Sequence, residues 1–545
     1  MAKALVVGGS VAGLASALAL AGSGRQVVVL ERSAPPPRGA MADLHSRWQR
    51  PTVPQAQHSH TLTSLGVRTL RTRAPEVLER LLAAGAPLFD LTRALPQGAT
   101  DRAREVGDDI LVALGCRRTT LELVLYRVVE ALPRVEIRHG TTVRGLRLSA
   151  DRQSVRGVVT TDGAHLSADV VVDATGRRAA ARGWLTDAGV PVAGDLTSPG
   201  GLRGFTRFYR LRSSSLPGPL NRGHAAGDIF GHYAGVLHPG DAGTFAIALG
   251  TLPGDTELDR LRHSGSFTAV ARATPGLTAW LDDAVSAPIS AVHAIGSPAN
   301  ALRATAVRPP VAGLFPVGDA ACVTNPLYGR GMSLALAQAF GLADTLAAHP
   351  AGQRTEAAAE FAEVLLQPWY EHASSADRER IGRWSAVVHG RPLPPAYAGC
   401  PDTSIRAAAA QDGAVWRGLM RVLMGLSTPD EVFGDEKGCL RADAAARPGA
   451  TGPAATRPPA EGRNPPRPLS GRLGRSRARG AHPPQPPGGR GGPGRPDRAG
   501  RPADPALRPE PDRRHRALRR APRRCRPRPS RPTPRFRRTD RGDSR

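Results

Sequence analysis

The chain has 545 residues with 74 Lys plus Arg against 47 Asp plus Glu, and its formal net charge of +27 is unevenly spread. Residues 451–545 hold 27 Arg, no Lys and 7 acids, so +20 falls there and +7 on residues 1–450. Five Cys (Cys116, Cys322, Cys400, Cys439, Cys525) with no CxxC spacing argue against a disulfide framework or a zinc site, and the absence of an eighteen-residue apolar run argues against a membrane-spanning helix.

In chain order, "KALVVGGSVAGLASALALAGSGRQVVVLERS" comes first: an apolar strand, a glycine turn, a helix, and a second strand closed by Glu31. Gly8, Gly9 and Gly13 let the backbone turn and approach a pyrophosphate resting on free helix N–H groups, with Ser10 where the usual fingerprint has its middle glycine. Glu31, eighteen residues past Gly13, stands near the distance expected of a carboxylate accepting ribose hydroxyls. No charged region, apolar segment and cleavage site precede this strand, so no leader is expected, and a reducing, cytoplasmic setting fits the cysteines.

A polar loop, "VPQAQHSHTLTSLGVRTL", then runs into an amphipathic helix, and residues 75–90 read as continuing helical. "DILVALGCRRTTLELVLYRVVEAL" reads as strand, turn and half-buried helix, followed by short strands ending in "ADVVVDATG". "GFTRFYRLR", "GDIFGHYAGVLHP" and "GTFAIALGTLP" read as three antiparallel strands, and "ISAVHAIGS" and "GLFPVGDAA" as two more. Residues 331–348 and 354–385 read as helices. His58 and His60 lack a third ligand for a metal, Cys322 reads as a buried small side chain, and Trp369, Tyr370 and Trp384 read as helix packing, with the lining of a substrate channel as the alternative.

Residues 441–545 are expected to be a disordered, Arg/Pro-rich tail. Three explanations stay open: a reading frame lost between Lys437 and Ala450, a natural disordered segment, or a basic arm that binds nucleic acid.

Three segments together resemble FAD-dependent monooxygenases and related reductases with the para-hydroxybenzoate hydroxylase fold. They are the Gly8 to Glu31 unit, "CRRTTLE", and "GDAACVTNPLYGRGMSLALAQA". The wording of "VPQAQHSH", "ADVVVDATGR" and "NPLYGRGMS" is most similar to the branch containing olefin epoxidases of polyether biosynthesis. The resemblance implies that Arg118 contacts FAD, that Asp319 holds the ribityl hydroxyls, and that the backbone from Pro326 to Met332, including Gly329 and Gly331, faces the flavin. It also places the His58–His60 loop near the flavin. A physical argument runs beside it: a helix starting near Gly329 to Met332 offers unpaired N–H groups and a positive dipole end to the anionic reduced flavin.

The expected fold is α/β. A discontinuous Rossmann-like FAD-binding domain (1–190 and 295–350) carries an inserted antiparallel substrate sheet (191–294) and a C-terminal helical segment (351–440). The implied reaction is oxygen insertion from O₂ through a flavin C4a-hydroperoxide, giving epoxidation or hydroxylation of a lipophilic small molecule in secondary metabolism. A reductase similar to geranylgeranyl reductases is the alternative. "DATGR" stands where hydroxylases of the family carry a DG segment for NAD(P)H, so the electron donor, direct or through a separate flavin reductase, stays open. The W-x-W-x-I-P segment of flavin halogenases is absent.

Overall fold

The computed structural model describes residues 3–39, 47, 48, 50–296, 298–393 and 402–434. The expected tail, and the stretch where a frame change was considered, lie outside the described residues.

The chain opens with β1 (Lys3–Val7), α1 (Val11–Gly22) and β2 (Gln26–Leu30). Next come α2 (Arg118–Glu130), β3 (Val135–Arg138), a small antiparallel sheet, and β4 (Val170–Asp173). The middle of the chain supplies β5 (Arg203–Leu211), β6 (Ala226–Ile229), β7 (Tyr233–Pro239), β8 (Thr244–Thr251), α3 (Ser264–Ala273), β9 (Ser286–Pro288) and β10 (His293–Gly296). Last come β11 (Leu314–Pro316), α4 (Gly331–Ala348), α5 (Arg354–Val388) and α6 (Gly413–Leu423).

Strands β11, β4, β1, β2 and β3 pair in that order as a parallel sheet. Val and Leu fill β1, β2 and β4 because both faces are covered, as parallel sheets require. One face packs on α1, α2 and α4 through Val6, Val29, Leu14, Leu125 and Leu336. The other meets the small antiparallel sheet through Leu5, Val28, Val171 and Val158. Ligands of such open sheets bind beyond the carboxyl ends of the strands, and that edge carries the turns after β1, β4 and β11.

The second sheet runs β6-β7-β8-β5-β9, with β10 also on β5. Phe205, Tyr209, Leu237, Phe245, Ile247 and Leu249 pack on α3, and the alternate positions, Gly204, Thr206, Phe208, Ala234, Val236, His238, Ala246, Ala248 and Gly250, take the opposite face. The register sets Thr206, Ala248 and Val236 side by side, with His293 beyond Thr206.

Two local readings need correction. The helix expected over 75–90 stops at Ala83, because Gly85 adopts φ +84° and turns the chain, and Leu88–Asp90 then pairs with Val112–Leu114 as strand. "GDIFGHYAGVLHP" is a hairpin of two strands, since the Phe230 N–H donates to the Tyr233 carbonyl at 2.7 Å and closes a turn at Gly231.

Candidate functional site

The glycine turn after β1 is built by crowding. Gly8 sits at φ +109°, and a Cβ there would lie 2.4 Å from the Ala174 carbonyl oxygen at the end of β4. A Cβ on Gly13 would lie 1.8 Å from the Gly8 carbonyl oxygen, so α1 can start against the turn only if position 13 is bare. Ser10 is the N-cap residue of α1, yet its hydroxyl caps nothing and accepts instead from Arg118 Nη2 at 2.9 Å. With no acid in the first turn, the opening N–H groups of α1 keep their positive end for an anion.

Glu31 is buried beside this turn. The Gly9 N–H donates to its Oε2 at 2.7 Å and the Ser33 N–H to its Oε1 at 2.8 Å, which leaves lone pairs on both oxygens for hydroxyl donors. Burial alone would raise its pKa. The Arg50 guanidinium and the Ser33 and Gly9 donors more than reverse that and hold the carboxyl below its usual range. Arg50 Nη2 lies 2.6 Å from Glu122 Oε1 on α2 and 4.0 Å from Glu31 Oε2, and Arg118 Nε lies 3.6 Å from Glu122 Oε2. Arg50 Nε and Arg118 Nε are buried with no hydrogen-bond partner. Spare donors and a ribose-type carboxylate around an uncapped helix start fit an adenosine diphosphate group.

The turns after β4 and β11 close on the same edge. Asp173 is consumed structurally: it accepts from the Thr175 N–H (2.9 Å), the Thr175 hydroxyl (2.6 Å) and the Ala181 N–H (3.1 Å), and burial pushes its pKa up. Gly318 sits at φ +64°, where a Cβ would meet Ala12 of α1 at 2.8 Å. Asp319 is partly exposed, 3.7 Å from Arg177 Nε. Gly8, Ser10, Gly13, Glu31 and Arg118 therefore gather around the start of α1, and Asp319 follows Gly318, which packs on Ala12 of the same helix.

Pro326–Tyr328 forms a 3-10 turn, Gly329 reverses the chain at φ +66°, and α4 starts at Gly331 with neither a side-chain cap nor an acid in its first turn. A Cβ on Gly331 would meet nothing within 4 Å. Met332 offers only its backbone, because its side chain is buried in the core shared with α1.

The loop 58–60 crosses from α4 to the second sheet. His58 Nδ1 lies 3.0 Å from Thr206 Oγ1, and the Ser59 hydroxyl lies 3.0 Å from His238 Nδ1. His60 Nδ1 lies 2.8 Å from the His58 carbonyl, which can only accept, so the ring proton is on Nδ1 and Nε2 is the acceptor. Burial lowers the His58 pKa to about 4 and the His60 pKa to about 3, so both rings are neutral at physiological pH. Thr63 donates its N–H (3.1 Å) and hydroxyl (2.8 Å) to Ser333 Oγ, tying the loop to α4. Cys322 is buried, and its pKa is pushed up to about 12 by that burial.

Several residues at the site escaped sequence reasoning. Arg330, between the two glycines, is fully buried and stacks between the Tyr328 and Trp369 rings at 4.9 and 4.7 Å, with Nη2 donating to His372 Nδ1 at 3.0 Å. Burial lowers its pKa to about 10, so it stays charged. Trp369, buried in the core as expected of helix packing, is also one wall of an arginine slot. Asn325 and Asp377 anchor the same turn. Only Asn325 had a sequence signal, since Asn before Pro initiates turns.

No protein-family model matches the chain. It is 28% identical over 393 residues to Protein Rv3254 of Mycobacterium tuberculosis, covering 67% of this chain and 77% of that one. Among solved structures, the flavin-dependent brominase Bmp2 superposes with a TM-score of 0.55 at 15% identity, over 81% of this chain and 97% of its own. The p-nitrophenol 4-monooxygenase PnpA from Pseudomonas putida gives 0.52 at 18% identity, over 78% of this chain and 99% of its own. The chain thus has the α/β fold of these proteins, a parallel sheet joined to an antiparallel one.

Proposed function

We propose that this chain is an FAD-dependent monooxygenase that transfers one oxygen atom of O₂ to a lipophilic small molecule. The observation that carries the reading is convergence: the turn after β1, the acid after β11 and the uncapped start of α4 share one edge of the parallel sheet, and the loop from His58 to Thr63 ties α4 to the second sheet. The fold shared with flavin-dependent proteins supports the same cofactor.

FAD, when bound, supplies the oxygen-activating chemistry, and the protein supplies position, charge and dryness. Glu31 accepts the ribose hydroxyls, the first N–H groups of α1 and Arg118 hold the pyrophosphate, and Asp319 accepts from the ribityl chain. The bare Gly331 and the N–H groups of Met332 and its neighbours present the positive end of α4, reinforced by the buried Arg330 charge, to the electron-rich edge of the ring. An apolar substrate would meet the face of the second sheet that carries Gly204, Thr206 and Ala248, which would keep water from it. Neutral His58 and Thr206 stand at the boundary. Epoxidation in a secondary-metabolite pathway is the finer form of this proposal, with electrons from NAD(P)H either directly or through a separate flavin reductase.

The deciding experiment supplies chemically reduced, FAD-loaded protein with alkene and phenol candidates under heavy-oxygen-labelled O₂. One labelled atom in the product is the expected result. Anaerobic turnover to a saturated product, or product without label, overturns the oxygenase reading in favour of a reductase.

A further inference from the structure

Helix α5 carries a carboxylate that nothing in the proposed chemistry uses. Asp377 is fully buried and accepts four hydrogen bonds. Its Oδ1 takes Asn325 Nδ2 at 2.8 Å, Arg380 Nη2 at 3.0 Å and the Tyr328 hydroxyl at 3.3 Å, and its Oδ2 takes Asn300 Nδ2 at 2.8 Å. Arg380 continues the network to the carbonyls of Gly200 and Gly201, at 2.5 and 2.9 Å, on the approach to the second sheet.

The central link is Asn325. Its Nδ2 is committed to Asp377 and to the Gly200 carbonyl (2.9 Å), which forces its Oδ1 toward the Leu327 N–H at 2.9 Å. That last bond sets the Pro326–Tyr328 turn, three residues before α4 begins at Gly331. Leu327 packs on Leu202, Ala234 and Trp384, so the same turn also touches the second sheet. A movement of Asp377 is therefore passed to the α4 start along a short chain of oriented polar groups, with little slack because every member is buried or packed.

We propose that Asp377 is a positioning residue: through Asn325 it sets the turn that aims the N-terminal end of α4, without itself meeting the cofactor. This rests on the reading of that turn as flavin-facing. A merely structural Asp377 would affect stability alone, so the test separates the two. In Asp377→Ala the acceptors for Asn325 vanish. In Asp377→Asn one acceptor oxygen survives for Asn325, while Asn300, whose own Oδ1 is buried without a partner, can turn that oxygen to the new amide.

Both variants are expected to unfold at lower temperature, because each leaves buried Arg380 without its counter-charge. The equilibrium between reduced and oxidised bound flavin, read against a reference dye in FAD-loaded protein, should distinguish them. Asp377→Ala and Asn325→Ala should each shift it toward oxidised flavin, by about 2- to 5-fold, the worth of a helix-end charge at such a distance. Asp377→Asn should stay within error of the wild type, and the Asp377→Ala/Asn325→Ala double variant should shift no further than either single. If Asp377→Ala does not fold, Asn325→Ala alone carries the test. Equal flavin equilibria in wild type and Asn325→Ala, or a shift in Asp377→Asn as large as in Asp377→Ala, would overturn the proposal. A wild-type protein that folds but binds no flavin would overturn the underlying assignment instead.

Discussion

Gly331→Ala separates the needs of the fold from those of a ligand. A Cβ at this position has no neighbour within 4 Å, and the residue is not in the left-handed region. Alanine is favoured over glycine within a helix by about 0.8–1.0 kcal/mol, less at a first position, so the thermal midpoint of the apoprotein should be unchanged or slightly raised. The open space is, in the proposed reading, where the flavin edge approaches the α4 N–H groups. A methyl group there pushes the ring out of hydrogen-bond range of at least one donor. Such a charge-assisted bond contributes about 1.5–3 kcal/mol, which corresponds to FAD binding weaker by about 10- to 100-fold. Fluorescence titration of apoprotein with FAD, beside a thermal melt without FAD, gives both numbers. A variant as stable as the wild type that binds FAD with the same Kd would refute the placement of the ring against α4.

Gly13→Ala should fail for the opposite reason. Its Cβ would stand 1.8 Å from a backbone oxygen where 3.0 Å is the practical minimum, so α1 and the turn must part by about 1.2 Å, and both the apoprotein midpoint and FAD content should fall. Lowering pH should also destabilise the apoprotein. His58 and His60 have folded pKa values near 4 and 3, below the ordinary 6.5, so between pH 6.5 and 4 the unfolded chain binds more protons and stability drops as pH falls, by up to about 1.4 kcal/mol per unit for each group. Melts of a His58→Gln/His60→Gln variant over that range should show a shallower fall, and an equal slope would count against buried neutral rings. Arg417 on α6 bonds Asp108 at 2.8 and 3.1 Å, both side chains being buried. Arg417→Ala should cost about 3 kcal/mol in a denaturant titration while leaving the FAD stoichiometry of the folded protein intact, because the pair lies apart from the proposed site.

Much of this architecture is local information. The glycine turn, the Ala-rich α1 and the Val-rich β2 dictate strand, helix and strand within thirty residues, because backbone crowding and side-chain period act between near neighbours. Gly8, Gly13 and Glu31 were legible as a set, and the helices expected over 331–348 and 354–385 are found at Gly331–Ala348 and Arg354–Val388.

Where those pieces meet is a long-range matter. Nothing in the spacing links Asp377 to Asn325, Arg330 to Trp369, Arg50 to Glu122, or Ser10 to Arg118, because each pair is joined only after separate elements pack. Asp173 shows the same limit: packing turns this strand-end acid inward onto its own loop, and its position in the sequence does not say so. Composition and period decide which segments become strands and helices. The buried charges that aim and tension the site belong to tertiary structure, because a charge can be afforded in the interior only where partners from distant segments arrive to satisfy it.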